Sequence, residues 1–76
     1  MKYNIMVLST QREYFYINIT GNNNIDYCDL WIKASQKRYV KLHGFYTDID
    51  QETLNVLKEK GSYKKYFDSV DDFIRY

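Results

Sequence analysis

At 76 residues and a net charge of +1, the chain is one small domain with neither the overall basic field of a general nucleic-acid binder nor the acidic field of a DNA mimic. Its single cysteine, Cys28, excludes an internal disulfide framework and a cysteine-based zinc site. No apolar run is long enough to span a membrane, and a domain of this size buries only about 60% of its unfolded surface, so its core is thin.

Apolar residues at 45% and charged residues at 28% are ordinary for a globular protein, but an aromatic share of 18%, with nine Tyr and no Pro, is not. Residues with AT-rich codons (Asn, Ile, Lys, Tyr, Phe) far outnumber those with GC-rich codons, which fits a low-GC bacterium or one of its phages or plasmids. The start of the chain carries no charged-then-apolar leader with a small-residue cleavage site, so a cytosolic protein is expected.

Taken in order, Lys2 to Thr10 predicts a first strand with Tyr3, Ile5 and Val7 on one side and Asn4, Met6 and Leu8 on the other. Ile5 to Leu8 is apolar on both faces, which predicts a central or covered strand. Gln11 to Glu13 form a polar turn. Tyr14 to Thr20 follows as a strand, with Phe15, Ile17 and Ile19 inward and Tyr14, Tyr16, Asn18 and Thr20 outward. Matching the odd-numbered sets puts Leu8 opposite Tyr14 and Met6 opposite Tyr16. Gly21 to Asn24 breaks the strand, because Gly and Asn tolerate positive φ.

Tyr27 to Tyr46 alternates with period two and predicts a hairpin. Cys28, Leu30, Ile32 and Ala34 point to the core with Val40 and Leu42; Tyr27, Asp29, Trp31, Lys33, Tyr39, Lys41 and His43 point away. Two registers keep the apolar sets together. One places Lys33 against Lys41; the other leaves a loop from Ser35 to Lys37 and pairs Lys33 with Tyr39, Trp31 with Lys41 and Asp29 with His43. Like charges directly opposite are unfavourable, each pair counting roughly 0.2–1 kcal/mol, so the second register is expected. Gly44 predicts a bend or bulge near the end of the fourth strand.

From Asp48 the period becomes helical. Asp48 or Asp50 caps a helix carrying Ile49, Thr53, Val56, Leu57 and Lys60, with Gly61 as its stop. The carboxylates of Asp48, Asp50, Glu52 and Glu59 only faintly resemble a calcium loop, since Thr53 stands where the obligatory glycine would. Ser62 to Asp68 is a basic, aromatic connection, and Ser69 with Asp72 opens a short last helix built on Val70, Phe73 and Ile74. The fold class expected is α+β in the order ββββαα: a four-stranded antiparallel sheet with two C-terminal helices packed on one face.

The outward face then collects Met6, Leu8, Tyr14, Tyr16, Trp31 and Tyr39, edged by Lys33, Lys41 and His43, and these nine are the candidate partner-binding residues. A contiguous aromatic patch with a polar rim marks an interaction site, unless one helix covers this face or the tyrosines are there only as good strand formers. Charge is segregated: Lys33, Lys37, Arg38 and Lys41 lie together without an acid, and Lys58, Lys60, Lys64 and Lys65 lie among tyrosines. One His, no phosphate loop and no nucleophile–base spacing argue against an enzyme, and Cys28 and His43 on opposite faces cannot share a metal ion. No cofactor is expected. The expected function is a non-enzymatic protein-binding module, a small phage or mobile-element inhibitor of a host protein, in the anti-CRISPR format of size and composition. A single-stranded nucleic-acid or nucleotide binder using Trp31, Tyr39 and nearby lysines is the first alternative. A homodimer joined by its aromatic faces is the second.

Overall fold

The strand that is apolar on both sides becomes the middle of the molecule. In a computed structural model, which describes residues 2–21, 26–36, 39–59 and 61–76, strand β1 (Tyr3–Ser9) lies between β2 (Tyr14–Asn18) and β3 (Lys41–Ile49), antiparallel to both. A fourth strand, β4 (Lys64–Phe67), joins the far side of β2 in parallel, so the sheet is mixed and ordered β3-β1-β2-β4. Ile5 to Ser9 are all buried, as a central strand covered on both faces requires.

The antiparallel four-strand expectation is corrected at Tyr27–Ser35, which is a helix, α1. Asp26 caps it by accepting the Cys28 N–H at 2.9 Å. Leu30 and Ala34 are buried and Tyr27 and Trp31 pack beside them, which is the i, i+3, i+4, i+7 spacing of a helix face. Cys28 and Ile32, expected inside, are exposed. None of the cross-strand pairs expected for Lys33, Trp31 and Asp29 therefore exists. The loop expected from Ser35 to Lys37 and the break at Gly21 to Asn24 fall partly outside the described residues; Gly21 itself has φ +92°, the conformation that favours glycine there.

The β1–β2 register also differs from expectation. Ser9 pairs with Tyr14, Leu8 with Phe15 and Met6 with Ile17. Thr10 sets this: its N–H donates to the Glu13 carbonyl at 3.0 Å, and its hydroxyl accepts the Arg12 and Glu13 N–H groups at 3.3 Å. A connection one residue shorter than expected reverses the parity, so Met6 and Leu8 join Phe15 and Ile17 instead of facing away.

Two cores result. On one face Met6, Leu8, Phe15, Ile17 and Ile19 pack with Leu30 and Ala34 of α1 and with Val70 and Phe73 of α3 (Val70–Arg75). Phe15, Phe67 and Phe73 meet edge-on or tilted, at centroid distances of 5.2 to 6.1 Å. On the other face Ile5 and Val7 pack with Leu54 of α2 (Gln51–Lys58), flanked by Tyr3, Tyr16, Ile49, Leu57 and Tyr66. The two C-terminal helices thus pack on different faces. Asp50 caps α2 by accepting the Thr53 N–H at 2.8 Å, and Ser69 caps α3 by accepting the Asp72 N–H at 3.1 Å. The Ser69 cap was legible in the sequence; of the two caps it left open for α2, Asp50 is the one used, and Asp48 and Ile49 end β3 instead.

Candidate binding surface at the end of the sheet

The helix α2 covers only the half of its sheet face nearest Ile5 and Val7. Beyond it, toward the β1–β2 connection, lie Ser9, Tyr14 and His43; Tyr16, opposite Val7, packs on the α2 core, and Tyr46, opposite Ile5, stands beside it on β3. Tyr14 and Tyr46 are 46% and 48% exposed. Burial pushes the Tyr16 phenol pKa up, and the neighbouring Tyr46 and Tyr14 push it the same way.

Strand β3 brings His43 into this group through a bulge. Val7 pairs with Gly44 and Leu8 with Leu42, which leaves His43 as the extra residue. Gly44 takes φ +147°, in the region that favours glycine. His43 Nε2 is hydrogen-bonded to the Ser9 hydroxyl at 2.6 Å, and its ring lies 5.1 Å from that of Tyr14, tilted by 50°. A Ser–His pair is two thirds of a nucleophilic triad, but among the described residues no carboxylate bonds the other imidazole nitrogen. Asp29, expected beside His43, sits on α1 across the sheet.

Two concavities adjoin this end of the sheet. One, of about 620 Å³, is lined by Tyr14, His43 and Tyr63 on the α2 side. The other, of about 760 Å³, is lined by Trp31, Tyr39, Val40 and Leu42 on the α1 side. Ser9, Thr10, Gln11, Arg12 and Lys41 border both.

The nine residues expected to form one outward patch are therefore divided. Tyr14, Tyr16, Lys41 and His43 do lie together. Met6 and Leu8, each 0% exposed, are interior core residues and present nothing to a partner in this fold. Trp31 is half-buried against the α1-side core, and Tyr39, 97% exposed, stands near it at the second concavity. Lys33 is drawn away to α3, where its ammonium meets Asp71 at 2.9 Å. Sequence reasoning missed Arg12, because a turn residue has no periodicity to place it.

Cation partners distinguish the two basic groups seen in the sequence. Lys58 lies 5.4 Å from the Tyr66 ring centroid, Lys64 donates to the Val56 carbonyl at 3.1 Å, and Lys65 sits 5.2 Å from the Tyr76 ring. Among the described residues, neither Arg12 nor Lys41 has a side-chain ion-pair partner. Lys37, Arg38 and Lys60 lie outside the described residues. No group of three or more His, Cys, Asp or Glu among the described residues could hold a metal ion, and no described helix is long and apolar enough to cross a membrane. No protein-family model matches the chain, and neither does any curated protein or solved structure.

Proposed function

We propose that this chain is a non-enzymatic protein-binding module, in the format of a small phage or mobile-element inhibitor that occupies a site on a host protein. The observation that carries this reading is the strip beside α2 in which Tyr14, His43 and Tyr46 are exposed and Tyr16 half-buried, with Arg12 and Lys41 at its margin. Tyrosine supplies a large, rigid and amphipathic contact at low entropic cost, and a cationic margin selects an acidic partner surface and speeds encounter. Capture from host cells by the tagged chain, repeated with the Tyr14→Ser, Tyr46→Ser double variant, tests it. A host protein held by the parent and lost by the folded variant is expected. A captured protein that the variant retains would refute this strip as the docking surface. Self-association of the parent, abolished by the same variant in sedimentation, would favour the homodimer reading instead.

The nucleotide or single-stranded nucleic-acid reading has its own support. Trp31, Tyr39 and Lys41 do border one groove, on the opposite side of the sheet from most of the tyrosine strip.

A further inference from the structure

The groove of about 760 Å³ falls within the size of small-molecule sites, roughly 300–1,000 Å³, and has their mixed character. Its apolar wall is Trp31, Val40 and Leu42. Its polar wall is the β1–β2 connection, where Thr10 uses its hydroxyl to hold the Arg12 and Glu13 amides. Arg12 and Lys41 stand at that wall.

Two features of the groove lack an internal explanation. The first is charge. Lys33, Lys65 and Arg75 are compensated by Asp71, by Glu13 at 4.0 Å and by Asp72 at 3.1 Å, while Lys58 and Lys64 are held by the Tyr66 ring and the Val56 carbonyl. Arg12 and Lys41 are both exposed and have no such partner among the described residues, so positive potential gathers at this groove. The second is Tyr39, whose ring is almost wholly in water beside a groove walled by an indole. An uncompensated cation pair selects an anion, and an arginine fork favours the oxygens of a phosphate. An indole wall with a second free ring at the margin selects a flat aromatic group. One ligand class carries both.

We infer that this groove takes a nucleoside phosphate unit, its base against Trp31 and Tyr39 and its phosphate at Arg12 and Lys41. The inference deepens the nucleotide reading; its aromatic wall is separated from the tyrosine strip by the sheet, while Arg12 and Lys41 border both. The unit could arrive as a free nucleotide or as one residue of a single strand, since the recognised chemistry is the same.

The chain has one tryptophan, so its indole N–H gives one resonance in an amide correlation spectrum, and that resonance reports on the groove. Titrations with AMP, UMP, adenosine, inorganic phosphate and a thymidine tetranucleotide test the inference. Saturable displacement of the indole resonance by the monophosphates is expected, with adenosine at least about tenfold weaker. Arg12→Ala and Lys41→Ala, both surface changes, should each weaken the monophosphates by about tenfold while leaving the rest of the spectrum in place. Much tighter binding of the tetranucleotide, with a steep salt dependence, identifies the unit as part of a strand; equal binding identifies a free nucleotide. No saturable displacement by any nucleotide up to about 10 mM would overturn the inference, as would displacement unchanged in the Arg12→Ala, Lys41→Ala double variant. The Tyr14→Ser, Tyr46→Ser variant should bind nucleotides normally, so failure of one site does not mimic failure of the other.

Discussion

Ser9 and His43 meet across β1 and β3 through a 2.6 Å hydrogen bond, and the bulge that makes His43 the extra residue brings the imidazole to the Ser9 side of the sheet. A ladder continued from Phe45 and Gly44 would place His43 opposite Leu8, on the other face. Instead Leu42 takes that place, and the ring lies beside Ser9 and Tyr14.

The bulge depends on the Gly44 backbone. At φ +147° any side chain is strained, although an added Cβ would meet nothing within 4 Å. The penalty of Gly44→Ala is therefore conformational, about 1–3 kcal/mol, and should lower the urea midpoint with little change of slope. The His43 ring resonances should shift in the same variant. A midpoint and ring environment equal to the parent's would show that β3 accepts a regular ladder.

Trp31 packs on the α1-side core without being enclosed by it. Trp31→Ala should cost about 2–3 kcal/mol, less than the 3–5 kcal/mol typical of a fully buried aromatic and far more than a surface change. In so small a domain that is a large share of the total, and a clear drop in melting temperature is expected. A melt within error of the parent's would place Trp31 on the surface.

Leu54 is the contact by which α2 holds the second core. It is fully buried against Ile5 and Val7, and Leu54→Ala should cost about 2–5 kcal/mol. Because α2 is only eight residues long, it has little helical stability without that docking. Amide exchange through 51–58 should accelerate more than through β1. Equal acceleration of both would mean that α2 and the sheet open only together.

Acid should weaken the fold through two carboxylates. Hydrogen bonds from the Thr53 backbone N–H and side chain lower the Asp50 pKa, and the hydrogen bond and charge of Lys33 lower that of Asp71. Each contributes stability that is present above its unfolded pKa, about 3.9, and lost as pH falls through the lower folded value. Both groups are exposed, so the effect is small. The melting temperature should decline below about pH 4, and Asp50→Asn should flatten that decline while keeping a capping oxygen. An acid limb unchanged in Asp50→Asn would show that the Asp50–Thr53 contact does not survive in solution.

The two residues that decide the course of 27–35 are Cys28 and Ile32. Leu30 and Ala34 are four apart, as are Tyr27 and Trp31, and a spacing of four keeps residues on one face in strand and helix alike. Only the residues between discriminate. Read as a strand, Cys28 and Ile32 belong inside with Leu30; in the helix they turn to solvent. Asp26, a capping residue just before the run, was the local signal for helix.

Composition and periodicity alone were sufficient for the inward set of β2, the central place of β1, the cap at Ser69, and the irregularity at Gly44. Each is written in a few neighbouring residues whose chemistry allows one local answer. The pairing of β1 with β2, the parallel addition of β4, and the packing of α2 and α3 on different faces were decided by tertiary structure. A connection shorter by one residue exchanges every side chain between faces, and a four-residue strand of two lysines followed by two aromatics does not specify a direction of pairing. The meeting of Trp31, Tyr39, Arg12 and Lys41 belongs to the same class. It follows from where a turn, a helix and an edge strand end in space, and those positions are set by the burial of Leu8, Leu30, Ala34 and Val40 in a common core.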